Sequence, residues 1–72
     1  MMKLQQVTIK TDSIALDQLL KWANIVSSGG EAKQLIKSGM VKLNDQMETR
    51  RGKKVFRGDK VIINEEITLL VQ

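Results

Sequence analysis

The stretch ETRRGKKVFRGDK places Arg50, Arg51, Lys53, Lys54, Arg57 and Lys60 within residues 48–60. Side chains of these types make charge-assisted hydrogen bonds to phosphate oxygens, in two different ways. Arg50 and Arg51 can fork onto two oxygens or stack on a base, whereas Lys53 and Lys54 act as mobile point charges. If those four each neutralise a phosphate, log affinity falls with log salt with a slope of order −3 to −4, at about 0.7–0.9 per contact. Gly52, between the two pairs, permits a turn that gathers all four on one side.

Little other chemistry competes with phosphate binding. The chain has no cysteine, histidine or tyrosine. Their absence removes disulfides, thiolate nucleophiles, the commonest metal ligand and the side chain that titrates near neutrality. Asp12, Asp17, Glu31 and Asp59 stand alone and are explained as caps, turn residues or solvated charges, with no nucleophile, metal or base beside them. No enzymatic activity, metal or cofactor is expected. The apolar runs are too short to span a membrane, and MMKLQQVTIK is too polar for an export signal, so a cytoplasmic protein is expected.

The net charge of +4 is unevenly distributed. Residues 33–60 carry nine cations (Lys33, Lys37, Lys42 and the six above) and three anions, a local balance of +6, while the remainder carries −2. A segregated field of this kind attracts polyanions without specifying which.

The elements that must hold this charge can be read from periodicity. In KLQQVTIK, Leu4, Val7 and Ile9 fall near a period of two, and the β-branched cluster predicts a short edge strand. Leu16, Leu19, Leu20 and Ala23 then recur at helical spacing, predicting a first helix over residues 13–24 capped by Asp12 or Ser13. Ser28-Gly29-Gly30-Glu31 has the form of a capping box, and Gly39 stands where a helix turns left-handed and stops. Ala32, Leu35 and Ile36, with Met40 as a candidate fourth member, form the inner stripe of this second helix, which leaves Lys33 and Lys37 together on its outer face. Like charges at that spacing repel by roughly 0.2–0.5 kcal/mol on an isolated helix, so something other than helix stability is a candidate reason for them.

Strands are predicted beyond Gly39. Val41 and Leu43 alternate with Lys42 and Asn44, Asn44-Asp45 is good turn chemistry, and VIIN and ITLLV are joined by the hairpin-length connection Asn64-Glu65-Glu66. Residues 46–55 supply few apolar side chains and read as exposed ribbon or loop, anchored by Val55 and Phe56. At 72 residues the expected fold is one small α+β domain, with two helices packed on a small, mainly antiparallel sheet.

Taken together, LDQLLKWANIVSSGGEAKQLIKSGMVKLNDQ, the basic stretch and GDKVII resemble the S4-type RNA-binding domain over residues 14–63. The matching parts are the Leu16-Asp17 pair, the serine-led second helix at Ser28, the run from Ala32 to Gly39, the strand from Val41 to Asn44 and the Gly58-Asp59 turn. Their order and spacing carry the resemblance more than any one of them. SSGGEAK and ETRRGKK resemble more closely the small stand-alone bacterial members, in which little surrounds the domain.

The resemblance implies an S4-like, αL-type fold over residues 1–72, binding without catalysis, and an RNA site that includes Ser28, Gly29, Gly30, Lys33, Lys37, Lys42, Arg50, Arg51, Lys53, Lys54 and Arg57. Two departures alter that site. Many members have arginine before the Leu-Asp pair and after the leading serine, where this chain has Ala15 and Gly29. The expected replacements are Lys33, Lys37 and the cluster at residues 50–54, while Gly29 and Gly30 let backbone N–H groups approach a phosphate closely.

Aromatic content bears on the kind of RNA. Readers of single strands stack bases on several aromatic rings, and this chain has only Trp22 and Phe56. Trp22, at the edge of the helical stripe, is expected to be partly buried, and Phe56 to anchor the ribbon in the core. Structured RNA is then the expected partner, ribosomal or tRNA-like, with ribosomal particles a further candidate and the chain acting as a monomer. The competing reading is a protein-interaction adaptor that docks its basic ribbon on an acidic partner. Duplex DNA ranks lower because neither helix has an arginine- or asparagine-rich base-reading face.

Overall fold

The computed structural model describes residues 3–72. Nine elements follow in order: β1 (Lys3–Val7), β2 (Ser13–Ala15), α1 (Leu16–Trp22), α2 (Gly29–Lys37), β3 (Val41–Leu43), β4 (Gln46–Met47), β5 (Lys54–Phe56), β6 (Lys60–Ile63) and β7 (Ile67–Val71). Five strands form one sheet in the order β1-β7-β6-β3-β4, and β2 and β5 form a separate two-stranded sheet. Only the β1–β7 pairing in the larger sheet is parallel; its other pairings are antiparallel. The expected α+β architecture is therefore present, with β1 at an edge as its sequence predicts.

Strand alternation sends one set of side chains to the core. Val41, Val61, Ile63, Leu69, Val71 and Val7 are buried and meet Leu16, Leu19 and Leu20 from α1 and Ala32 and Ile36 from α2. Leu16, Leu19 and Leu20 are completely buried, so truncating any one to alanine costs about 2–5 kcal/mol through lost transfer energy and the cavity left behind.

The turns follow local chemistry. Asn44 and Asp45 both have positive φ (51° and 70°), the conformation that joins twisted strands in a two-residue hairpin. Asn64 and Glu65 take the same hand (52° and 54°) between β6 and β7. Helix α2 is capped by Ser28, whose hydroxyl oxygen accepts from the Glu31 N–H at 3.2 Å. Glu31 does not complete the reciprocal half of the box; its carboxylate accepts from the Ser27 hydroxyl at 2.6 Å. After the last turn, Gly39 adopts φ 82°, as the stop signal predicts.

The start of α1 differs from expectation. Residues 13–15 are not helical, because Ser13, Ile14 and Ala15 pair antiparallel with Phe56, Val55 and Lys54. The N-cap residue is Ala15, with no side-chain cap, so neither Asp12 nor Ser13 plays that part. The open donors are met by backbone from elsewhere in the chain. The Leu16 N–H donates to the Lys53 carbonyl at 2.9 Å, and the Asp17 N–H to the Arg51 carbonyl at 3.0 Å.

Both aromatic expectations also change. Phe56 is 51% exposed, because Val55 takes the inward position on β5 and alternation turns its neighbour outward. Trp22 is 55% exposed and is tethered by its indole Nε1–H, which donates to the Thr8 carbonyl at 3.0 Å.

Candidate nucleic-acid interface

The basic stretch is a loop, residues 48–53, running into β5. Two contacts fix its shape. Its carbonyls at Arg51 and Lys53 close the first turn of α1, as described above, and Glu48 folds back on Arg50. The Glu48 carboxylate accepts from the Arg50 N–H at 3.1 Å, from Nε at 3.0 Å and from Nη2 at 3.2 Å. Glu48 is the less accessible partner, with its side chain 12% exposed against 71% for Arg50. The hydrogen bonds from Arg50 hold the Glu48 carboxyl below its usual range, and Glu48 in turn raises Arg50.

The cations singled out in the sequence therefore divide into two groups. Arg50 is chelated by Glu48, Lys42 pairs with Glu65 at 3.3 Å, and Lys60 pairs with Asp45 at 3.2 Å. Arg57 is turned toward the chain: its Nη2 donates to the Ile9 carbonyl at 3.1 Å and its Nη1 lies 3.7 Å from Asp12. Arg57 thus ties β5 to the segment after β1. By contrast, Lys33, Lys37, Arg51, Lys53 and Lys54 have no ion-pair partner among the described residues.

The free cations come from two places that both adjoin α1. Arg51, Lys53 and Lys54 belong to the loop and strand at its N-terminal end. Lys33 and Lys37 lie on the exposed side of α2, which packs against α1 through Ala32 and Ile36. Ser28, Gly29 and Gly30 are exposed at the start of α2. A Cβ at Gly29 would meet nothing within 4 Å, so that helix end is sterically open. Sequence reasoning found the charge but not the difference between free and paired cations. The only local signal was Glu48, two residues before Arg50; Asp12, Asp45 and Glu65 reach their partners through the fold.

These side chains can bind anions. No group of histidine, cysteine and carboxylate residues able to hold a metal occurs among the described residues. Among the described residues, no helix is long and apolar enough to cross a membrane.

Comparison with known proteins adds a second line. The family model described as "S4 domain" matches residues 7–71. The chain is 42% identical over 57 residues to a protein of Bacillus subtilis (strain 168) named "Probable ribosome maturation protein RlbA", across 79% of this chain and 80% of that one. It is 55% identical over 40 residues to tyrosine–tRNA ligase 2 of Pseudoalteromonas translucida (strain TAC 125), across 56% of this chain. That second match spans only 10% of the ligase.

Proposed function

The chain belongs to the S4-domain family, and we propose from that footing that it is a non-catalytic RNA-binding protein which holds a structured RNA during ribosome maturation or translation. The observation that carries this reading is the state of the basic loop. Arg51, Lys53 and Lys54 are unpaired among the described residues, and the backbone beneath them is hydrogen-bonded to the first turn of α1. Folded RNA presents phosphates at set positions, and cations on a fixed backbone lose less freedom in meeting them than cations on a loose tail.

Ribosomal RNA is the first candidate, because the Bacillus relative is named for ribosome maturation. A tRNA-like structure is the second, in view of the ligase match. Lys33 and Lys37 extend the phosphate-binding surface along α2, and Ser28, Gly29 and Gly30 offer it an open helix end. Lys42, Arg50 and Arg57 contribute less, since each must first leave a carboxylate. The protein acts in this reading as a cytoplasmic monomer.

The test is affinity for ribosomal RNA fragments, tRNA and duplex DNA across a salt series, for the wild type and for a variant with Arg51, Lys53 and Lys54 changed to alanine. Preference for one structured RNA, lost in a variant that still melts cooperatively, supports the proposal. Equal, weak binding to every polyanion overturns it in favour of a protein adaptor with a generally attractive charge.

A further inference from the structure

Phe56 is a large apolar side chain on a well-held strand, and half of it faces solvent. On β5 the side chains of Lys54, Val55 and Phe56 point out, in and out. Lys54 and Phe56 therefore share a face, with Cα positions roughly 6.6 Å apart along the strand. The residue across from Phe56 is Ser13, too small to cover a phenyl ring. Arg57, the neighbouring cation, is engaged with the Ile9 carbonyl and Asp12.

The backbone that carries the ring is fixed from the other side. The Phe56 N–H donates to Asp59 Oδ2 at 2.8 Å, and the Phe56 carbonyl accepts from the Asp59 N–H at 3.0 Å. Asp59 is held in turn by Asn44, whose Nδ2 donates to Oδ1 at 3.1 Å. The backbone from which the ring projects is therefore set before any ligand arrives, and its neighbour on the same face is an ammonium with no ion-pair partner among the described residues.

We propose that Phe56 is a stacking platform for one unpaired nucleobase, with Lys54 taking a phosphate of the same or the adjoining nucleotide. The proposal rests on the RNA-binding reading and gives it a selectivity that phosphate contacts lack. Every base has a π-face, so the ring selects for an unpaired nucleotide and not for its identity. The surface then reads folded RNA at a bulge, loop or end, where a base is free to leave its stack.

The experiment uses the ribosomal RNA fragment bound most tightly in the salt series, made in two forms that differ only in whether one adenosine is bulged or paired. Wild type, Phe56→Ala, Phe56→Leu and Phe56→Tyr are measured on both at one salt concentration, and thermal melting confirms that each is folded. The expected result is tighter wild-type binding to the bulged form. Phe56→Ala should lose about 5- to 150-fold on that form alone, as stacking on a protein aromatic predicts, and Phe56→Tyr should retain it. Unchanged binding by Phe56→Ala, an equal loss on both forms, or full rescue by Phe56→Leu each overturn base stacking while leaving phosphate binding intact. Equal, weak binding of the wild type to every polyanion in the preceding salt series overturns the RNA-binding reading as well.

Discussion

The amide of Leu16 donates to the carbonyl of Lys53 at 2.9 Å, so the basic loop closes the first turn of α1 with its own backbone. A helix start normally needs a side-chain oxygen or water for its unpaired donors. Here the donors and the cationic loop satisfy each other, and neither can shift without exposing the other's backbone.

Replacing Arg51, Lys53 and Lys54 by alanine should leave those carbonyl contacts in place and remove the charge. The plot of log affinity against log salt for the preferred RNA should become shallower by about 2–3 units, at 0.7–0.9 per lost phosphate contact. Circular dichroism and melting should remain close to wild type, because the bonds to Leu16 and Asp17 use main-chain oxygens. Replacing Lys42 and Arg57 instead should change the slope by less.

Glu48 gives the loop a pH dependence with a defined sign. Its folded-state pKa is depressed by Arg50, so its stabilising contribution is present above the unfolded value of about 4.3 and is lost as pH falls through the lower folded value. Melting temperature followed from pH 7 to pH 3 should therefore drop less steeply in Glu48→Gln than in wild type, and the variant should start slightly lower at pH 7. The same variant frees the Arg50 guanidinium. If Arg50 then meets a phosphate, the salt slope steepens by about 0.7–0.9.

The two helix starts predict different responses to loss of a candidate capping side chain. Ser28→Ala removes the acceptor for the Glu31 N–H and should cost about 1 kcal/mol, read by urea denaturation. Asp12→Ala and Ser13→Ala should cost no comparable amount through helix capping, because α1 is closed by Arg51 and Lys53.

Gly58 and Gly52 should separate in the same assay. Gly58 has φ 94° and donates to the Val71 carbonyl at 2.7 Å, so Gly58→Ala should destabilise by about 1–2 kcal/mol from backbone strain. Gly52 has no positive φ, and an added Cβ would meet nothing within 4 Å. Gly52→Ala should be neutral, or stabilise by up to about 1 kcal/mol through the unfolded chain.

What the sequence conveyed about this fold was mostly what neighbouring residues decide. The inward stripes of both helices, the Ser28 cap, the Gly39 stop and the Asn44-Asp45 and Asn64-Glu65 turns depend on residues within a few positions of each other. The start of α1 does not. Asp12 and Ser13 look like caps, and only the distant partner strand Lys54–Phe56 converts residues 13–15 into β structure. Phe56 was misread for a related reason. Val55 and Phe56 are adjacent apolar residues, and alternation requires one to point outward without saying which. The charge cluster was visible as composition, but its division into paired and free cations depends on Asp12, Asp45 and Glu65, which reach their partners only through the fold.

The parallel pairing of β1 with β7 joins Lys3–Val7 to Ile67–Val71, so the whole of the intervening chain forms the crossover between two adjacent strands. Closing so long a loop has to precede any reward from the pairing, which raises contact order and slows folding relative to a helical bundle of the same length. The bond from Leu16 to Lys53 is non-local too. Before collapse the chain carries its positive charge on a flexible coil, able to attract any polyanion and to discriminate among none. The relative placement of Arg51, Lys53 and Lys54 is thus set only once the non-local bonds to α1 have formed.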